Sequence, residues 1–112
     1  MTSGVTATIY HNLRCSKSRA ALALLQGAGA SVRVIEYLQT PPSRDELARL
    51  FALADISPVA GLRSDAPVEA RTSDDAALAA MTVNPALIER PLVETDKGVV
   101  LARPPERVLD IL

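Results

Sequence analysis

Two β-rich segments separated by a single amphipathic helix restrict the fold of this chain more than any other feature. Val5 to Tyr10 and Val32 to Tyr37 are rich in β-branched residues and predict two strands. Between them, Ser16 to Ala28 predicts a helix, because its apolar residues recur on one face at helical spacing and glycines follow. Strands joined by one helix pair in parallel through a right-handed crossover.

The segment that follows predicts mostly helical structure. Thr40-Pro41-Pro42 interrupts the chain, and Ser43 to Glu46 form a capping box in which Glu46 is expected to reach back toward the first turn. The apolar stripe of that helix is supplied by Leu47, Leu50, Phe51 and Ala54. Ile56 to Arg63 predicts a short helical turn, and Ser64 to Arg71 predicts a loop.

The last forty residues predict one more full helix, a hairpin and a final helix. Ser73-Asp74-Asp75 begins the first of these, with Leu78 and Met81 facing inward, and a short turn from Asn84 ends at Arg90. Pro91 to Thr95 and Val99 to Ala102 predict strands joined at Gly98, and Pro104-Pro105 opens the last helix. The order βαβ, helices, ββα predicts an α/β fold with a mixed four-stranded sheet.

Composition excludes several classes of protein. A length of 112 residues is that of one domain, and 48% hydrophobic residues exclude a disordered chain. One cysteine excludes an intramolecular disulfide, and with His11 as the only other soft ligand it disfavours a zinc site. A net charge of −1 indicates no nucleic-acid partner. With neither a membrane span nor a signal peptide predicted, we expect a cytoplasmic protein with a reduced thiol.

The residues around the single cysteine predict a reactive thiol. Cys15 lies between the first predicted strand and the first predicted helix, where open α/β sheets bind ligands. A helix N-terminus stabilises the thiolate, which is the reactive form of cysteine. His11 lies four residues earlier and can lower the thiol pKa or hydrogen-bond the sulfur. Arg14, Lys17 and Arg19 add positive charge, and Arg19 shares a helix face with Cys15.

A helix N-terminus also binds anions. A thiolate repels an anionic substrate, so a thiol that acts on an anion should be accompanied by arginines elsewhere in the chain. Three arginines lie at the edges of predicted elements, namely Arg63, Arg90 and Arg103. Arginine suits this role because its planar guanidinium pairs oxyanions in bidentate fashion and keeps its charge. Ser16 and Ser18 are explained as helix-start residues, and Tyr10 and Tyr37 as packing residues.

Four stretches, IYHNLRCSKSR, YLQTPPSRDEL, ERPLV and ARPPERVLDIL, resemble the glutaredoxin-coupled arsenate reductase family, in particular its short bacterial members. The resemblance covers nearly the whole chain. It implies a thioredoxin-like domain over residues 1–112 with an inserted helical subdomain at about 41–89. It also implies Cys15 as the nucleophile, His11 as the residue that tunes its ionisation, Arg63, Arg90 and Arg103 as oxyanion ligands, and a cis peptide before Pro91.

The expected function is reduction of arsenate to arsenite through a Cys15 thiolate–arsenate adduct, with Arg19 joining the other arginines in binding the oxyanion. Glutathione and glutaredoxin are the expected partners, and no bound cofactor or metal is expected. One alternative is a one-thiol redox protein that forms a mixed disulfide with glutathione, because Cys15 to Ser18 is a CxxS sequence. Another is a non-catalytic regulator that binds RNA polymerase, although such regulators usually carry a CxxC switch.

Overall fold

The computed structural model describes residues 4–112 and contains a mixed four-stranded sheet, as predicted. The strands are β1 (Thr6–His11), β2 (Ser31–Glu36), β3 (Leu92–Thr95) and β4 (Gly98–Leu101), in the order β2-β1-β3-β4. β1 pairs with β2 in parallel, whereas the β1–β3 and β3–β4 pairs are antiparallel. This topology places the carboxyl ends of β1 and β2 at one edge, beside the start of β3.

The βαβ unit forms as the apolar pattern predicts. Helix α1 (Ser16–Gly27) connects β1 to β2 and buries Ala21 and Leu25 completely. The parallel register runs from Thr6 opposite Ser31 to His11 opposite Glu36. Tyr37, which the sequence places in the second strand, therefore lies just beyond its end.

The segment between β2 and β3 is helical, with two full helices. Helix α2 (Arg44–Ala54) and helix α3 (Asp74–Val83) begin at Ser43 and Ser73, whose side chains accept the backbone N–H groups of Glu46 and Ala76. Two short 3₁₀ helices, Val68–Arg71 and Pro85–Leu87, lie before and after α3.

Residues 56–63 contain one short hydrogen-bonded helical turn, as predicted, in which the N–H of Gly61 donates to the backbone oxygens of Ser57 and Pro58, and then an isolated bridge at Leu62. Two details of the predicted helical segment are wrong. The predicted loop 64–71 contains the 3₁₀ helix Val68–Arg71. The Glu46 carboxylate does not reach back to the first turn, because it accepts hydrogen bonds from the phenol of Tyr10 and from Arg49.

The C-terminal hairpin forms as predicted, with Gly98 at a positive φ of 146°. The peptide bond before Pro91 is cis, which confirms that prediction, and the bond before Pro104 is also cis. The last helix is a 3₁₀ helix, Pro105–Ile111, whose side chains Val108 and Ile111 are buried.

Alternating strand residues give the sheet a separate apolar core on each face. Tyr10, Leu92 and Val99 pack with α2 and α3, in a cluster that also contains Tyr37 and Phe51. Ile9, Val93 and Val100 pack on the other face with α1 and the last 3₁₀ helix. Over residues 4–112, no helix has the length and apolar content needed to cross a membrane.

Candidate active site

Cys15 occupies the N-cap position of α1, at the edge of the sheet where β1 ends. The Asn12 side chain stabilises the loop between β1 and α1, because its Oδ1 accepts the N–H of Arg14 at 3.0 Å. The backbone oxygen of Asn12 accepts the N–H of Cys15, also at 3.0 Å. The turn between strand and helix is therefore closed by two hydrogen bonds, and it holds the cysteine at the positive end of the helix dipole.

The pKa of the Cys15 thiol is lower than that of an ordinary cysteine. Burial raises this pKa, since the residue is only 8% exposed, but three groups outweigh the effect of burial. The backbone N–H groups of Ser18 and Lys17 interact with the sulfur, although neither forms a regular capping hydrogen bond, and the guanidinium of Arg90 lies beside it. This shift favours the thiolate, the nucleophilic form of cysteine, next to a permanent positive charge.

Ser18 connects His11 to the loop in a buried hydrogen-bond network. Its Oγ lies 2.6 Å from His11 Nδ1 and accepts the backbone N–H of Asn12 at 3.1 Å. Ser18 is fully buried and contributes its own N–H to the Cys15 sulfur. The interpretation of Ser18 as a simple helix-start residue missed this network. A serine at this place in a CxxS sequence is equally compatible with ordinary helix capping.

The surroundings of His11 favour its neutral form. Burial lowers its pKa, Arg19 lowers it further, and Glu36 acts in the opposite direction without reversing the shift. Its side-chain hydrogen bond is to Ser18, and its Nε2 is buried without a hydrogen-bond partner among the described residues. A neutral imidazole supplies no positive charge to a thiolate. The connection between His11 and Cys15 instead runs through Ser18, whose hydroxyl bonds to His11 and whose backbone N–H interacts with the sulfur.

Arg90 and Arg103 lie close together at the start of β3, with Glu89 between them. Arg103 donates to the backbone oxygen of Arg90 at 3.1 Å. The Glu89 carboxylate lies 3.5 Å from the Arg103 guanidinium and 3.9 Å from that of Arg90. The Nε of Arg90 is buried and has no hydrogen-bond partner among the described residues. An anion bound here would give that N–H an acceptor, and the sequence analysis did not identify Glu89 as its neighbour.

Arg63 reaches this region through a short stretch of β-like pairing. Leu62 forms an isolated antiparallel bridge with Ile88, and the N–H of Arg63 donates to the oxygen of Leu87 at 2.8 Å. The Arg63 Nε lies 3.5 Å from Asp65 in a partly exposed ion pair. The pairing therefore brings the backbone of Arg63 beside the segment that ends at Arg90, while its side chain has a partner of its own.

Arg19 is positioned differently from the other predicted oxyanion ligands. Its Nη1 donates to the backbone oxygen of Leu13 at 2.9 Å, which ties α1 to the loop before Cys15. Its charge acts on His11. The hydrogen bond gives Arg19 a structural task in the loop, and its role as an oxyanion ligand stays a prediction.

Tyr37 belongs to the same site, although the sequence analysis treated it as a packing residue. It is 2% exposed, and the groups that act on its phenol include Arg90, Asn12 and Cys15, with a further contribution from Arg63. Nothing in the local sequence distinguishes it from Tyr10, whose phenol bonds to Glu46 instead. Tyr37 reaches the site because it follows the end of β2, beside the end of β1.

A groove of about 240 Å³ lies beside the cysteine loop but is distinct from the thiol site. Neither Cys15 nor the predicted oxyanion-binding arginines line it. Its lining residues come from the ends of β1 and β2: His11, Asn12, Leu13, Arg14, Glu36, Leu38 and Gln39. Within residues 4–112, no group of three or more His, Cys, Asp or Glu side chains is placed to hold a metal ion.

A sheet of order β2-β1-β3-β4, with a thiol of lowered pKa at the start of the helix after β1 and an arginine just before β3, defines a thioredoxin-like thiol protein. The comparisons with known proteins make the class more specific. The model of the ArsC family matches residues 10–111, and the chain belongs to this family.

Curated and solved relatives agree with that assignment. An arsenate reductase from Escherichia coli is 45% identical over 112 residues, covering 94% of this chain and 79% of the relative. One from Rhizobium meliloti is 42% identical over 115 residues, covering 96% and 82%. The solved structure of an arsenate reductase from Vibrio cholerae has a TM-score of 0.88 at 43% identity, covering 96% of this chain and 98% of that one.

Proposed function

We propose that this protein reduces arsenate to arsenite through a covalent Cys15 thiolate–arsenate adduct, and that glutathione and glutaredoxin regenerate the thiol. The observation that carries the proposal is the thiol itself: the pKa of Cys15 is lowered where the Arg90 guanidinium lies beside it. A nucleophile and a cation at one position suit an oxyanion substrate. The names of the relatives, which are arsenate reductases, support arsenate as that oxyanion.

In the first step, the Cys15 thiolate attacks arsenic and an arsenic–oxygen bond breaks, so that hydroxide or water leaves. The new sulfur–arsenic bond holds the arsenate in a site with Arg90, Arg103 and Arg63 as its proposed ligands. The Arg90 Nε–H is the best-supported donor, because it is buried and lacks a partner among the described residues. A pre-positioned donor stabilises the developing negative charge without reorganisation.

In the second step, a glutathione thiolate attacks the Cys15 sulfur. The sulfur–arsenic bond breaks and its electron pair stays on arsenic, which leaves as arsenite, reduced from As(V) to As(III). Cys15 and glutathione together lose two electrons and form a mixed disulfide. The sequence holds one cysteine, so the thiol that resolves this disulfide comes from another molecule, which we propose is glutaredoxin.

His11 and Ser18 serve this reaction as positioning residues in our proposal. Ser18 places one backbone N–H toward the sulfur, while its hydroxyl bonds to His11 and to the Asn12 N–H. The network therefore fixes the first turn of α1 relative to the loop that carries Cys15. A displaced first turn would weaken the interaction that lowers the thiol pKa.

The test is a coupled assay with purified protein, arsenate, glutathione, glutaredoxin, glutathione reductase and NADPH. We expect arsenate-dependent NADPH oxidation by the wild type and none by Cys15→Ser. A Ser16→Ala variant is a matched control, since it changes a neighbouring exposed residue and keeps the thiol. Absence of Cys15-dependent arsenate reduction would refute the proposed substrate. Glutathione-disulfide exchange at Cys15 without arsenate reduction would favour the one-thiol redox alternative.

A further inference from the structure

Tyr37 lies at the same edge of the sheet as Cys15, although 22 residues separate them in the sequence. β2 ends at Glu36, which is opposite His11 in the parallel register, so Tyr37 follows next to Asn12. This edge holds the carboxyl ends of β1 and β2, where parallel strands place ligand-binding residues. The backbone therefore brings Tyr37 to the loop that carries the nucleophile.

The Tyr37 side chain is buried and surrounded by the charged groups of the site. It is 2% exposed and packs in the cluster that covers one face of the sheet. Burial raises the pKa of its phenol, and Arg90 acts against this rise. Cys15 also acts on the phenol, so nucleophile and arginine both lie within electrostatic reach of one hydroxyl. The net rise keeps the phenol protonated at neutral pH.

The side-chain amide of Asn12 is a hydrogen-bonding partner of the Tyr37 phenol and lowers its pKa, as a group that donates to the phenol oxygen does. A donor on the phenol oxygen leaves the phenol hydrogen available to an acceptor in the site. Tyr10 shows the contrast, because its phenol already donates to Glu46 Oε1 at 3.2 Å.

We propose that Tyr37 is an additional oxyanion-binding residue, whose phenol O–H donates a hydrogen bond to the arsenate held between Cys15 and Arg90. This inference rests on the proposed function and adds a neutral donor to a site described so far by arginines. A neutral donor selects for oxyanions by geometry without increasing the attraction for every anion. Asn12 orients the phenol, and its own position is fixed by the loop.

Tyr37→Phe is the decisive variant, since it removes one oxygen and keeps the buried ring. We expect the KM for arsenate to rise about tenfold or more, which is the size expected for losing one hydrogen bond to a charged group. Tyr10→Phe is the matched control, because it removes the same atom from a phenol that bonds to Glu46 away from the thiol. That variant should keep the wild-type KM within about twofold.

A second measurement separates this proposal from the proposed function. Oxyanions bound beside Cys15 should protect the thiol from iodoacetamide, and this protection requires no reduction. We expect Tyr37→Phe to need about ten times more arsenate or phosphate for half-protection than the wild type. Thermal unfolding of both tyrosine variants monitors the fold.

Each outcome bears on one idea or the other. A wild type that is protected by oxyanions but reduces no arsenate refutes the proposed reaction, and the Tyr37 comparison still stands. A Tyr37→Phe variant with wild-type KM and wild-type protection overturns the assignment of Tyr37. A wild-type thiol that no oxyanion protects also overturns it, since Tyr37 would then have no oxyanion to bind.

Discussion

A methyl group at position 61 has no room, because the ring of Phe51 fills the space. In Gly61→Ala, the new Cβ would lie 2.3 Å from Cε1 and 2.5 Å from Cζ of that ring. Carbon atoms in ordinary contact are about 3.5–4.0 Å apart, so ring or backbone must move by more than an ångström. Phe51 is 1% exposed and packs with fully buried neighbours, which leaves the ring little freedom to retreat. Overpacking of this kind costs about 1–3 kcal/mol.

The same substitution should disturb the candidate active site. The backbone oxygen of Gly61 accepts the N–H of Glu89 at 2.8 Å, and Arg63 is paired with Leu87 next to it. A shift of this short pairing moves Arg63 relative to the start of β3. We therefore expect a higher KM for arsenate in Gly61→Ala, while the alkylation rate of Cys15 stays close to that of the wild type.

Urea unfolding measures the cost in stability, and a second glycine supplies the control. A Cβ added at Gly27, the last residue of α1, meets no atom within 4 Å, so Gly27→Ala should stabilise the protein by up to about 1 kcal/mol. In a Phe51→Leu background, Gly61→Ala should lower the free energy of unfolding by less than it does in the wild type, because the clashing ring atoms are gone. A Gly61→Ala protein that unfolds at the wild-type urea concentration would refute the steric argument.

Two further predictions concern charge in the site. The rate of Cys15 alkylation should rise with pH around a midpoint below the ordinary cysteine pKa, because nearby N–H groups and Arg90 favour the thiolate; a midpoint at or above about 8.5 contradicts this. The pKa of Cys15 is lower in the folded chain than in the unfolded chain, so ionisation of the thiol stabilises the fold. This stabilisation is complete above the pKa of the unfolded state and is lost as the pH falls through the pKa of the folded state. Glu89→Gln should lower the KM for arsenate up to about fivefold by removing an anion that competes for Arg90 and Arg103. Steady-state kinetics with an unchanged or raised KM would show that the carboxylate positions these arginines instead.

Much of the fold follows from local sequence patterns. Apolar periodicity and β-branched segments predict all four strands and the three longest helices, because those patterns record which face of each element is buried. The isolated bridge at Leu62 and the 3₁₀ helix Val68–Arg71 were not predicted. These segments are held by contacts such as the Leu62–Ile88 bridge, which involve residues distant in the sequence.

The candidate active site was also predictable only in part from the sequence. Cys15 is recognisable because everything that activates it lies within a few residues, apart from Arg90. The roles of Ser18 and Glu89 are not recognisable, because a serine in a first helical turn and a glutamate before an arginine have ordinary local explanations. Glu46 shows the opposite error, since a capping box was expected and the carboxylate instead bonds to Tyr10 and Arg49.

By itself, the sequence determined the order of strands and helices, the placement of one thiol at a strand-to-helix turn, and, for the reaction we propose, the need for a second thiol from another molecule. These properties depend on residue type, spacing and count, which are local or additive. The tertiary structure alone decided which distant groups lie around that thiol: Arg90 and Tyr37, with Glu89 beside Arg90, and the pairing that brings the Arg63 backbone alongside the start of β3. The physical reason is that strand register and packing between remote segments determine these distances, and no short stretch of sequence encodes them.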